Sequence, residues 1–210
     1  PILQELVGYT VDSPVSGWIG RFTDETRAGG NASLDLKLQL PLARMAEAKV
    51  NGTLQFAGND VTLLDGMPPL SAAEGKILFD EHGFTLDGLR AGFLGGPVIA
   101  AGGTQRDGSI LVKASGTMGV AGLRKAYAAP AMQRLADRLG GSTRYSAAIS
   151  IRKKRPEITI ESNLQGIALN FPAPLRKAAG ESMPFKLELA PLPPDGVSAQ
   201  RDEMKMSLGY

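Results

Sequence analysis

The chain contains no cysteine and a single histidine, His82. Without cysteine there are no disulfides, no thiolate catalysis and no cysteine-ligated metals. A lone histidine between two predicted strands fits a solvated turn better than a metal or acid–base site, because it has no imidazole partner. The HExxH, GxSxG and zinc-ligand spacings are also missing from the sequence. We therefore expect no catalytic residue, no bound metal, no cofactor and no enzymatic activity.

Long apolar runs and an excess of one charge are lacking as well. No stretch approaches the roughly 18 consecutive apolar residues of a membrane-spanning helix. The 23 basic and 21 acidic residues give a net charge of +2, which is far from the charge density of a nucleic-acid-binding domain. One Trp, four Tyr and seven Phe offer no evident stacking platform for single-stranded nucleic acid. We therefore expect no nucleic-acid partner.

Alternation of apolar and polar residues is what the sequence has in abundance. From Ser33 to Pro41 every second residue is leucine, and similar alternation returns at 158–164, 185–189 and 204–208. Only an extended strand places every second side chain on one face. The 26 glycines and 14 prolines fit many short strands joined by tight turns. The sequence predicts a mostly β fold: a large curved antiparallel sheet, arranged as a meander, a groove or a taco-like shape.

One segment breaks the two-residue period. Between 120 and 139, Leu123, Tyr127, Ala131 and Leu135 are spaced four apart, which predicts helix packed on the sheet. Pro130 cannot lie inside a continuous helix, so we expect two short helices, the second beginning at Pro130 and ended by Gly140 and Gly141. We interpret residues 1–210 as an internal fragment of a larger protein, with a first β portion at 1–118, a helical segment at 119–140 and a second β portion at 141–210.

The predicted apolar face is too wide for the predicted helices to cover. About ten strands at roughly 4.8 Å spacing form a sheet about 50 Å wide, whereas twenty helical residues form a rod about 30 Å long and about 10 Å across. The sheet must therefore curl on itself, pack against a second sheet as in an ordinary β-sandwich, or leave an apolar channel for a ligand or for a neighbouring segment of the parent chain. The candidate residues that line such a channel or fill such a core are Leu34, Leu36, Leu38, Leu40, Ile149, Ile151, Ile158, Ile160, Leu187 and Leu189.

Two further motifs have alternative interpretations. The run Arg152-Lys153-Lys154-Arg155 is suited to anionic headgroups or phosphates, but basic turns also keep sheet edges soluble, and we favour that interpretation. Gly116, Gly119 and Gly122 follow GxxGxxG and not GxGxxG spacing. This pattern predicts a junction between strand and helix and not a phosphate-binding loop.

Two segments together resemble the YhdP family, large AsmA-like proteins of the Gram-negative envelope. The first reads EGKILF at residues 74–79 and continues through Gly83 to Gly95-Gly96-Pro97; the second reads SNLQGIALNFPAPLRK at residues 162–177. The helical segment followed by residues 141–145 lies where that family has it. The resemblance runs from about residue 30 to 190, and Phe171 stands where the family usually has Leu.

The resemblance implies an inner-membrane anchor N-terminal to this fragment and a periplasmic body. It also implies a bridge-like lipid-transfer conduit that moves phospholipid towards the outer membrane and supports its permeability barrier, with no catalytic residues. The expected partners are phospholipid acyl chains and neighbouring segments of the parent chain, and membrane contact is expected only through parts outside this fragment. Two alternatives remain: a structural or interaction β-domain of an envelope protein, and an enzyme acting on envelope glycans. The enzyme would need two facing carboxylates, and no pair stands out by spacing.

Overall fold

The computed structural model describes residues 27–39, 49–63, 67–152, 155–191 and 202–209. The sequence also predicts strands at 6–11 and 15–22, and these lie outside the described ranges. Within them the elements are β1 (Arg27–Ala28), β2 (Ser33–Gln39), β3 (Lys49–Thr62), β4 (Leu70–Asp80), β5 (Gly83–Phe93), β6 (Gly96–Thr104), β7 (Ile110–Gly119), α1 (Val120–Ala126), α2 (Pro130–Ala136), β8 (Leu139–Arg152), β9 (Arg155–Ser162), β10 (Ile167–Leu169), β11 (Phe185–Pro191) and β12 (Asp202–Leu208).

The strands form one antiparallel sheet, as the alternation predicts. Its order is β1-β3-β4-β5-β6-β7-β8-β9-β11-β12, with β2 paired to β3 and β10 paired to β8. Neighbours in the chain are mostly neighbours in the sheet, which is the topology of a meander built from successive hairpins. The prediction of a mostly β protein with a large antiparallel sheet is confirmed.

The chain divides into two compact units, described separately below. Unit 1 takes in the described residues up to 91 together with 99–110, and unit 2 takes in 92–98 and the described residues from 111 onward.

In unit 1, the Gly-Asn-Asp composition of residues 58–60 predicts a turn between two strands, and this prediction is wrong. The residues Gly58-Asn59-Asp60 do not separate two strands but lie within β3, where the pairing with β4 shifts register on both sides of Asn59. The Asn59 side chain is 2 % exposed. Its Oδ1 accepts from the Ala57 N–H at 2.9 Å, and its Nδ2 donates to the Gly29 and Asn31 carbonyls at 2.9 and 3.1 Å. These bonds satisfy the bulged backbone, so the ladder continues where the turn signal indicated a break.

In unit 2, the two predicted short helices are present. Helix α2 begins at Pro130, as the missing N–H of proline requires. Arg124 of α1 holds the pair together, because its Nη2 donates to the Ala136 carbonyl at 3.0 Å and to Asp137 Oδ1 at 2.9 Å. Both helices contact β8.

The prediction that Gly140 and Gly141 end the second helix is wrong. Helix α2 already ends at Ala136, and β8 begins at Leu139. The two glycines belong to β8, where they pair with Ala168 and Ile167 of β10. A Cβ at Gly141 would overlap the Gly166 carbonyl, so glycine is required there for close backbone approach.

The glycines around α1 serve a packing role. Leu94 and Gly95 form the turn between β5 and β6 with φ of 48° and 80°, and the Leu94 carbonyl accepts from the Gly119 N–H at 3.0 Å. Gly122 lies directly against this turn, since a Cβ there would overlap the Leu94 carbonyl group. This close approach is consistent with the strand-to-helix junction predicted from the GxxGxxG spacing.

The packed core of unit 2 is small. It consists of Val120, Ala136, Leu164, Ile167 and Leu169, each 7 % exposed or less, and Leu139, Phe171, Met183, Phe185 and Leu208 pack around it as partly buried side chains. Its members come from the two helices, from β10 and from the segment before β10. The helices and this segment thus cover one end of the sheet face that carries Phe185 and Leu208.

Substituting Gly122 by Ala tests the contact between helix and turn. The new methyl group would push against the Leu94 carbonyl, so we expect the free energy of unfolding in urea to fall by about 1–3 kcal/mol. The control is Gly140→Ala, because no heavy atom lies within 4 Å of a Cβ built there. Equal effects of the two substitutions would contradict a specific role for Gly122.

Candidate functional site

Four neighbouring strands of unit 2 bring aliphatic side chains to one face. Directly opposite residues in an antiparallel pair lie on the same face of the sheet. Ile158 of β9 is opposite Ile149 of β8 and opposite Leu189 of β11, and Leu189 is in turn opposite Met204 of β12. The neighbouring row continues from Ile160 through Leu187 to Met206. We call this surface the isoleucine face: Ile149, Ile151, Ile158, Ile160, Leu187, Leu189, Met204 and Met206.

No side chain of the isoleucine face is buried. The isoleucines and leucines are partly buried, while Met204 and Met206 are 66 % and 68 % exposed. The face changes character at one end, because Phe185 and Leu208 are opposite each other one row before Leu187 and Met206 and pack against the core. Beyond that row, the described residues of unit 2 leave the aliphatic surface accessible.

The opposite face of the same strands is charged. Lys186 Nζ lies 2.6 Å from Glu188 Oε1 on β11, and Lys205 Nζ lies 3.1 Å from Glu203 Oε2 on β12. The hydrogen bond to Glu188 raises the pKa of Lys186, and Glu161 on β9 adds to the effect. These strands therefore have one face that favours water and one that favours hydrocarbon.

Unit 1 has a second apolar surface of the same construction. Leu34 and Leu36 of β2 are opposite Leu54 and Gly52 of β3, and these are opposite Ile77 and Phe79 of β4. The Phe79 ring lies over Gly52, where a Cβ would overlap it. We call this the leucine face: Leu34, Leu36, Leu54, Ile77 and Phe79. Leu36 is 44 % exposed, and the other four are partly buried.

The sequence-predicted lining residues fall on these two surfaces. The six from β8, β9 and β11 lie together on the isoleucine face, and Leu34 and Leu36 lie on the leucine face. The backbone of Leu38 is paired with Val50, and Leu40 lies outside the described residues. Their role in lining a lipid path stays a prediction.

Two exposed residues were missing from the predicted set. Met204 and Met206 complete the isoleucine face on β12, and their alternation with Lys205 and Ser207 is visible in the sequence. Methionine adapts its shape readily to an irregular apolar partner.

A cleft of about 570 Å³ with polar and apolar lining lies in unit 1 beside the turns that follow β4 and β6. Its lining includes carboxylates and cations, Asp35, Lys37, Asp80 and Arg106, together with His82. Asp80 Oδ1 accepts from the backbone N–H groups of His82 and Gly83 at 2.7 and 3.1 Å, so it serves the turn between β4 and β5. The His82 side chain is 81 % exposed, consistent with the predicted solvated turn.

The described residues contain no group of three or more His, Asp or Glu placed to hold a metal ion. Among the same residues, no helix has the length and hydropathy needed to cross a membrane.

Comparison with known proteins assigns the chain to a family. The family model described as YhdP protein matches residues 2–209. The chain belongs to the YhdP family. No curated protein and no solved structure matches it.

In this YhdP-family chain the motif at 162–177 is held by polar contacts at both ends. At its start, Ser162 Oγ donates to the Arg144 carbonyl at 2.7 Å and accepts from the Leu164 N–H at 3.0 Å. At its end, Lys177 is 3 % exposed, and its Nζ donates to the Ile167 and Ala178 carbonyls at 2.6 and 3.0 Å. These hydrogen bonds therefore hold in place the segment that contributes Leu164, Ile167 and Leu169 to the core.

Burial lowers the pKa of Lys177, and the nearby Glu181 opposes that shift. Another buried group is Tyr145, which is 8 % exposed and has its ring centroid 6.5 Å from that of Phe93. Burial raises the pKa of Tyr145 to about 12. Both side chains are packed within unit 2.

Substituting Lys177 by Met leaves the buried Ile167 carbonyl without its donor. We expect a loss of about 1–3 kcal/mol in the free energy of unfolding, against a change within about 0.5 kcal/mol for the exposed-site control Lys113→Met. As pH rises towards the ordinary lysine value of 10.5, folded Lys177 loses its proton before the unfolded chain does, so the native chain gains stability. The difference in unfolding free energy between wild type and Lys177→Met should therefore grow as pH rises. A difference that shrinks as pH rises would contradict the role of burial.

Proposed function

We propose that this chain is a segment of a lipid-transfer conduit in the periplasm, within a parent protein anchored in the inner membrane. The segment carries phospholipid acyl chains towards the outer membrane and so supports its permeability barrier. It has no catalytic role. The observation that carries this proposal is the isoleucine face, an aliphatic surface on four adjacent strands with no buried member.

The energetics of such a surface suit an acyl chain. Each methylene group moved from water to an apolar surface gains about 0.8 kcal/mol, so many weak contacts hold a chain without a specific pocket. The central rows of the isoleucine face carry aliphatic side chains only, and the charged side chains of the same strands are on the opposite face. A lipid tail would meet similar contacts at each position, which permits it to slide.

The leucine face of unit 1 supports the same interpretation. It repeats the arrangement on β2, β3 and β4, again with part of its aliphatic surface accessible. A contact surface present in both units fits a function spread along a chain better than a reaction confined to one site.

Substituting Met206 by Glu tests the proposal with little risk to folding, because Met206 is already 68 % exposed. A carboxylate there would displace about two methylene groups of a bound chain, which costs about 1.6 kcal/mol and lowers lipid affinity about tenfold. The matched control is Ser207→Glu, which adds the same charge on the same strand at an exposed position of the opposite face. Native mass spectrometry and lipid extraction of the full chain measure the lipid retained.

Two outcomes would contradict the proposal. One is that the wild-type full chain never retains lipid. The other is that Met206→Glu and Ser207→Glu reduce lipid equally, since a face-specific contact must distinguish them.

The alternative is a structural or interaction module, and the small closed core of unit 2 is the observation in its favour. In that case Leu187 packs against protein in the full chain, so Leu187→Glu unfolds the domain and no lipid is found in any variant. A conduit wall instead stays folded and loses lipid. Circular dichroism combined with lipid extraction on this one variant distinguishes the two functions.

A further inference from the structure

The tip of the β8–β9 hairpin carries a pair of arginines for which the described residues of unit 2 provide no ion pair. Arg152 is directly opposite Arg155, and both are exposed. Like charges directly opposite each other destabilise a strand pair. The sequence adds two more cations, Lys153 and Lys154, in the connection between them.

Three other cations of unit 2 have acidic partners. Arg124 pairs with Asp137, Lys186 with Glu188 and Lys205 with Glu203. Neither Arg152 nor Arg155 forms an ion pair within the part of the chain that the structure describes. The nearest acidic residue along the hairpin is Glu157, which is opposite Ser150. This pair is two positions further from the tip and lies on the same face as the arginines.

The position of this pair favours a flat anionic surface as its partner. The ladder between β9 and β11 ends at Ile158, so the last rows of the hairpin extend past that pairing. Ile151 and Pro156 form the adjacent pair, so their side chains lie on the opposite face of the hairpin from the arginines, and the tip is basic on one face and apolar on the other. That combination is typical of segments that rest in the headgroup region of a bilayer. Residues 146–162 contain no aromatic side chain, so base stacking is not available to favour a nucleic acid.

We propose that the β8–β9 hairpin tip docks on an anionic lipid bilayer through Arg152 and Arg155. Phosphate oxygens accept hydrogen bonds from guanidinium groups in bidentate fashion, and they remove the repulsion between the two arginines. This docking goes beyond lipid transfer, because a chain that never holds an acyl chain would still dock. It would also mean that membrane contact is not confined to parts outside this fragment.

The test compares binding of the full chain to vesicles of phosphatidylcholine with phosphatidylglycerol and to vesicles of phosphatidylcholine alone. Each cation near an anionic surface contributes about a fivefold gain in partitioning. Arg152→Gln combined with Arg155→Gln should therefore lower binding to the anionic vesicles about 25-fold. Wild-type binding should weaken in high salt, and binding to neutral vesicles should be low for every variant.

The charge-matched control is Arg90→Gln combined with Arg144→Gln, two exposed arginines outside the hairpin tip, which should bind within about twofold of wild type. Met206→Glu should also keep its vesicle binding, so failure of docking and failure of lipid transfer give different results. The hairpin variant should unfold at the same urea concentration as wild type, or at a higher one, because it loses a like-charge pair.

Three results would overturn the proposal. The first is unchanged vesicle binding in the hairpin variant. The second is an equal loss in the control variant, which would mean that only total charge matters. The third is competition by inorganic phosphate or by RNA that exceeds the effect of sodium chloride at the same ionic strength, which would identify a free phosphate or a nucleic acid as the partner.

Discussion

The antiparallel hydrogen-bond ladder is the constraint on which the other features of this protein depend. Because opposite residues share a face and successive residues alternate, one register decides the environment of every side chain on a strand. A shift of one residue between β9 and β11 would replace Ile160 opposite Leu187 by a polar residue. The isoleucine face and the charged face behind it are thus two consequences of the same pairing.

The places where the ladder is interrupted are as informative as the ladder itself. Asn59 lets β3 continue through a bulge by supplying the hydrogen bonds that the bulged backbone lacks. Gly122 and Gly141 allow backbones to approach more closely than any side chain would permit. Lys177 closes the segment over the core with two carbonyl acceptors. Each of these residues serves packing, and Gly122, Gly141 and Lys177 hold the closed core of unit 2 at the helix-covered end of the face.

That confinement links packing to the proposed function. Phe185 and Leu208 pack against the core as partly buried side chains. On the same strands, Leu187 and Leu189 are partly buried outside that cluster and the two methionines of β12 are exposed. Soluble proteins rarely leave contiguous aliphatic surface exposed unless it contacts something. The aliphatic face is therefore the observation that supports the proposed lipid partner, in a chain whose residues 2–209 match the YhdP family.

Much of this architecture could be predicted from the sequence, because strict alternation specifies strands, and proline at 130 specifies where a helix begins. Leu34, Ile158 and Leu187 could be assigned to apolar faces by the same argument. The sequence did not distinguish a turn from a bulge at Asn59, because that choice depends on hydrogen bonds to residues thirty positions away. It misplaced the role of Gly140 and Gly141, because pairing with β10 is a long-range contact. Alternation determined which apolar residues lie on the same face of the sheet. Only the tertiary structure decided which of them are covered, because burial depends on what packs above a face and not on the pattern within it.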